Sequence, residues 1–164
     1  MPRRPLSTEQ ILSILHETPD RLGAMTDGLT EAQLRTRPEP EEWSVIEIVA
    51  HLRSCADVWS DAMHSIVATS HPTIRAVNPT TWIEHTDYRQ LGFAVTMQAF
   101  RTQRRALLAL LEPLPARGWT RSATVLGAGT PLELTVHSYA ERLARHERTH
   151  WRQIAKTVGA VGPG

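Results

Sequence analysis

The sequence predicts an all-α fold, a four-helix bundle, and three observations carry that prediction. Four long segments place apolar residues at helical spacing. Two of them open on a Ser/Thr-x-x-Glu string, the signature of a capping box: Ser44 to Glu47 and Thr130 to Glu133. Prolines punctuate the gaps, at Pro38 and Pro40, at Pro72, and at Pro113 and Pro115.

The first helix is read from Thr8 to about Gly28 on Leu12, Leu15, Leu22, Met25 and Leu29. Pro19 lies inside that span, and Thr18-Pro19 is also a helix-start signal, so the stretch reads as two short helices or one kinked one. The second helix follows the Ser44 cap and runs to about Thr69, with Val45, Ile48, Leu52, Cys55 and Trp59 on its inner face. Thr73 to Thr86 reads as a long connection. A third helix is expected from Asp87 to Glu112, on Leu91, Val95, Met97, Leu107, Leu108 and Leu111. Trp119 to Gly129 holds a short Ala-Thr-Val-Leu run that suits one strand or hairpin. The last helix is expected to open at the Thr130 box, with Pro131 at its first position, and to reach about Val158.

The chain has 164 residues, which suits a single domain over 1–164, and no internal repeat. A formal net charge of +1 gives no pull toward nucleic acid or an anionic membrane. No apolar run is long enough to span a bilayer. Cys55 is the sole cysteine, and Met1 to Ser7 lacks a signal-peptide core, so a cytoplasmic protein is expected.

The segment with most chemistry is His146-Glu-Arg-Thr-His150. Two histidines four apart on a helix share one face and can reach one metal ion. The string also reads H-E-x-x-H, the zinc-protease signature. Those proteases take a third ligand, in their main clans downstream, and residues 151–164 contain no His, Asp, Glu or Cys. The third ligand is therefore sought upstream. His51 lies three residues after Ile48 and four before Cys55, on or beside the buried face of its helix. Burying an unpaired imidazole is costly, so His51 needs a polar partner or a metal. With His146 and His150 it would form a three-histidine site with open positions, the arrangement of catalytic metals. Against this stands a plain alternative, in which His146 and His150 are solvated in an Arg-rich helix end.

Other residues are weighed the same way. Glu147 reads as a solvated glutamate between Arg145 and Arg148, not as a base. Glu47 is assigned to its cap and Tyr139 to core packing. Cys55 reads as a small buried hydrophobe, with a fourth-ligand or nucleophilic role as its competitor. His64 and His71 are placed on the surface, His85 is a weak pocket candidate, and His137 points elsewhere. The run Arg101, Arg104, Arg105 reads as a solvated face.

The chain also resembles the DinB-like superfamily, the damage-inducible or YfiT-like proteins. The resemblance runs through Thr18-Pro-Asp-Arg-Leu22, Leu29-Thr-Glu-Ala-Gln-Leu34, Arg37-Pro38 and, most strongly, Glu42-Trp-Ser-Val-Ile-Glu-Ile-Val-Ala-His-Leu52. It continues through Trp119, Gly127 to Leu132 and His146 to Ile154. It implies a four-helix bundle, often dimeric, with a metal triad that maps onto His51, His146 and His150. Three imidazoles do not name the metal: a divalent ion is expected, zinc or nickel first and iron, copper or manganese after them. The implied activity is a thiol-dependent S-transferase, with a small-molecule thiol and an electrophile as partners and a homodimer as assembly. A metal-dependent hydrolase and a metal-binding stress protein without catalysis are the alternatives.

Overall fold

The computed structural model describes residues 4–162. Four long helices are present: α1 (Thr8–Thr26), α3 (Val45–Ala68), α5 (Phe93–Leu111) and α7 (Val136–Val161). The short helices α2 (Glu31–Arg35), α4 (Pro79–Trp82) and α6 (Ala116–Trp119) sit in the connections. In the bundle α1 packs on α7 and α5, and α3 packs on the same two, so α5 and α7 face each other across the diagonal. No helix among the described residues is long and apolar enough to cross a membrane.

The fold is not purely all-α. Strands β1 (Thr73–Arg75), β2 (Ser122–Leu126) and β3 (Leu132–Thr135) form a sheet in the order β1-β2-β3. β1 runs parallel to β2, pairing Thr73 with Thr124, and β3 runs antiparallel, pairing Leu134 with Ala123. Ala123 and Val125 alternate into the core, which is why the Ala-Thr-Val-Leu run is extended. The β2–β3 turn uses Gly127 and Gly129, both at φ 90, a conformation that favours glycine.

The Thr130 to Glu133 string is therefore not a helix cap. Glu133 spends its carboxylate across the sheet, accepting from the Thr124 hydroxyl at 2.5 Å and the Ser122 hydroxyl at 3.2 Å, with His71 Nε2 at 2.9 Å. The helix begins later, where Thr135, five residues on, caps the Ser138 amide at 3.0 Å. Thr135 is also the last residue of β3, so strand passes into helix without a linker.

The Ser44 box forms as expected, Glu47 accepting from the Ser44 amide at 2.9 Å. The third long helix starts later than expected, at Phe93, because Tyr88 is held to α3 and the Gln90 and Leu91 carbonyls accept from Arg35 of α2. There the Tyr88 hydroxyl donates to Asp57 at 2.7 Å, and Arg53 lies 3.6 Å over the Tyr88 ring.

α1 is continuous through Pro19. Proline has no amide, so the carbonyl four residues back, on Leu15, loses its helical donor. Arg104 of α5 supplies the replacement, Nη1 donating to the Leu15 oxygen at 2.6 Å. Arg104 is 2% exposed and also pairs through both terminal nitrogens with Glu147 of α7, which is 0% exposed. The pair crosses the diagonal of the bundle. Neither residue is solvated, contrary to the expectation for both. A buried carboxylate and a buried guanidinium are tolerable together because each desolvated charge meets the other.

Candidate metal centre

α3 and α7 are neighbours along the bundle, and each presents histidines to the shared cleft. His51 comes from the second turn of α3, while His146 and His150 are one turn apart on α7. Their Nε2 atoms converge: His51 to His146 is 3.1 Å, and His150 to His146 is 3.1 Å. His146 Nε2 thus stands next to the Nε2 atoms of both other histidines, while the donors that all lie within 4.8 Å of one another are those of His51, His146 and Cys55. Nitrogens sharing one ion at about 2.0–2.1 Å lie roughly 2.9 to 3.4 Å apart for angles between octahedral and tetrahedral. Both spacings to His146 fall inside that interval.

The electrostatics match. Burial, then the neighbouring His150, lowers His51 from 6.5 to about 4. Burial, then His150 and His51, lowers His146 to about 3. Burial lowers His150 as well, with Gln153 working against it. All three rings are therefore neutral at neutral pH, the state in which imidazole coordinates a metal. A single proton between two Nε2 atoms can satisfy one pair only, so His146 Nε2, which faces two other nitrogens, leaves one contact short of a donor. A divalent cation is the species that such a donor set fits.

Surrounding side chains hold the rings. His150 Nδ1 faces Gln153 Oε1 at 2.6 Å, which assigns the proton to Nδ1 and leaves the Nε2 lone pair free. Trp43 meets His51 edge-on at 5.2 Å between centroids, and Trp59 meets His146 at 5.3 Å. His146 Nδ1 is buried without a partner among the described residues. Gln153 escaped the sequence reading, although its position three residues after His150 was a usable signal.

Cys55 lies one turn after His51, its Sγ 3.6 Å from His51 Nε2 and 4.0 Å from His146 Nε2. His51, Cys55 and His146 offer donor atoms all within 4.8 Å of one another. Burial pushes the thiol up to about 12, so without a cation nearby it stays protonated.

The remaining candidates lie elsewhere. Glu147 is locked to Arg104 and does not reach the cluster. Glu47 serves its cap and the Arg37 guanidinium. His85 is exposed and outside the cluster, and His64 and His71 are on the surface. His137 Nε2 bonds the Leu6 carbonyl at 2.9 Å. Tyr139 is buried, as expected, but also borders a cavity beside the histidines.

Fold and cluster together define a helical bundle with an interior histidine site. Within that class, the model of the DinB superfamily matches residues 14–154, and the chain belongs to that superfamily. Among solved structures, YfiT from Bacillus subtilis superposes with a TM-score of 0.82 at 20% identity, covering 100% of this chain and 94% of that one. YfiT is described as a probable metal-dependent hydrolase with an unusual four-helix bundle topology. A mycothiol-dependent maleylpyruvate isomerase superposes with a TM-score of 0.68 at 11% identity, covering 91% of this chain and 61% of that one. No curated protein sequence matches the chain.

Proposed function

We propose that the chain is a divalent-metal-dependent enzyme with His51, His146 and His150 as ligands, and more narrowly a thiol-dependent S-transferase acting on a small electrophile. The observation that carries the metal is the placement of His146 Nε2 at 3.1 Å from both His51 Nε2 and His150 Nε2, on rings that burial keeps neutral. A divalent ion so held supplies Lewis acidity, lowering the pKa of a bound thiol or water toward neutral pH. Imidazole donors suit zinc and nickel, and also iron, copper and manganese.

The chain's residues have separate tasks. Gln153 fixes the His150 tautomer, and the edges of Trp43 and Trp59 hold two rings and keep water from their flanks. The thiol arm is supported by the likeness to a protein described as mycothiol-dependent. A small-molecule thiol, an electrophile and a homodimeric assembly belong to the same proposal. A hydrolase, the description given to YfiT, would use the same open position for water.

Cys55 favours a second reading, a metal-binding protein without catalysis. A sulfur and a nitrogen on one tetrahedral zinc lie roughly 3.6 Å apart, and Cys55 Sγ stands 3.6 Å from His51 Nε2. A closed three-histidine, one-cysteine set leaves no position for substrate.

Cobalt(II) loading separates the two. Intense near-ultraviolet thiolate bands that vanish in Cys55→Ala support the closed site. Their absence, together with thiol substitution on chloro-dinitrobenzene, releasing chloride, that is lost in His150→Ala, supports the enzyme. Wild-type protein that takes up no zinc, nickel or manganese would sink both.

A further inference from the structure

The sheet and α3 do not close fully on each other. Between them, with α4 and α7 adding to the walls, lies a half-open cavity of about 260 Å³. Ile74, Val125 and Leu132 are paired directly across β1, β2 and β3, so their side chains form one apolar row on one face of the sheet. All three line the cavity, as do the indoles of Trp59 from α3 and Trp82 from α4.

Two features of the lining select what fits. The first is apolar surface left in water. Val77 and Leu132 line the cavity and are 46% and 41% exposed, two of the four exposed large apolar side chains among the described residues. Such side chains need no partner when scattered singly, but Leu132 continues a row that starts at the buried Val125. The second is where charge sits. Asp61, Arg75 and Arg142 are the charged residues of the lining, and all three are exposed. Arg142 is moreover stacked 5.8 Å over the Trp59 ring. No ionised group is set among the apolar walls, so a charge carried inward on a ligand would be desolvated without a partner.

Size and walls narrow the class further. An apolar cavity of about 150 Å³ accepts benzene, so about 260 Å³ takes a substituted ring or two fused rings. Indole faces and edges favour flat π-systems. A concavity built by several elements suits a small molecule, whereas a stable protein partner needs a broad patch.

We propose that this cavity binds a small uncharged aromatic molecule, of one or two rings, against Trp59, Trp82 and the row of Ile74, Val125 and Leu132. The site goes beyond the metal reading and does not depend on it.

Isothermal titration of metal-free protein with indole, against tryptamine and indole-3-acetate, tests this. Indole is expected to bind at one site, about ten-fold tighter than either charged analogue. Trp82→Ala should weaken indole about ten-fold. Ala76→Trp, which places a ring in the cavity, should abolish binding, and both variants should keep the circular dichroism of the wild type. No saturation by about 5 mM indole, equal binding of the charged analogues, or an affinity unchanged in both variants would overturn the proposal. So would a second copy of the chain seated on the cavity, seen as a doubled mass in sedimentation and as indole binding that weakens with protein concentration. Failure of the metal reading shows separately, as absent zinc uptake by protein that still binds indole.

Discussion

His146 and Glu147 are neighbours in sequence, and their side chains enter different interiors. His146 faces α3 and converges with His51 at 3.1 Å, while Glu147 faces α5 and pairs with Arg104. A step of one residue turns a helix by about a hundred degrees, which is enough to separate them. α7 is buried on both sides, so the glutamate of an apparent H-E-x-x-H string serves as the anchor of the helix that carries the histidines.

Removing one partner of that anchor strands a buried charge. Arg104→Met and Glu147→Leu should each destabilise the protein by about 3–5 kcal/mol. The double variant should recover much of the loss, since two apolar side chains leave no charge behind. Urea unfolding of the three variants checks this, and additive losses would contradict it.

Pro19 and Arg104 should be coupled through the Leu15 carbonyl. In an Arg104→Met background that carbonyl is buried without a donor, at a cost of about 1–3 kcal/mol. Pro19→Ala restores an amide and should be more favourable there than in the wild type. A double-mutant cycle is expected to show coupling of about 0.5–3 kcal/mol. A coupling of zero would mean that Arg104 does not serve α1.

Gln153→Ala should leave the fold intact and weaken divalent binding by about 10–100-fold, the usual effect of losing the group that orients a ligand histidine. His146→Ala should abolish stoichiometric binding, because His146 is the ring nearest both others. Competition with a chromophoric chelator measures both. A Gln153→Ala affinity equal to wild type would show that the His150 tautomer needs no help.

Stability of the metal-free protein should fall as the pH drops below 6.5. In the unfolded chain the histidines take up a proton near pH 6.5. In the folded protein burial and mutual repulsion hold His51 to about 4 and His146 to about 3. Between those limits the unfolded state binds more protons, so stability is complete above 6.5 and lost as acid titrates toward 4 and then 3. Urea midpoints between pH 7.5 and 4 should fall more steeply for wild type than for His51→Leu. Parallel slopes would count against the buried neutral cluster.

The parts legible in the sequence are those written locally. The Ser44 box, the four helical stretches and the two histidines at one-turn spacing need only neighbouring residues, and His51 needs only its register within α3. What failed depended on distant partners. Thr130 to Glu133 has the letters of a cap, but Thr124, Ser122 and His71 claim the Glu133 carboxylate. Pro19 looks like a break because Arg104, which repairs it, is 89 residues from Leu15. Glu147 looks solvated for the same reason, since its partner is 43 residues away on another helix. The start of α5 shifts because Tyr88 is tied to Asp57 on α3.

Trp59 is a party wall, with His146 against one flank and the cavity against the other. An ion on the histidines and a molecule in the cavity would meet this one indole from opposite sides. Reciprocity then fixes the account: whatever factor loading the histidines adds to affinity in the cavity, filling the cavity must return to the histidines.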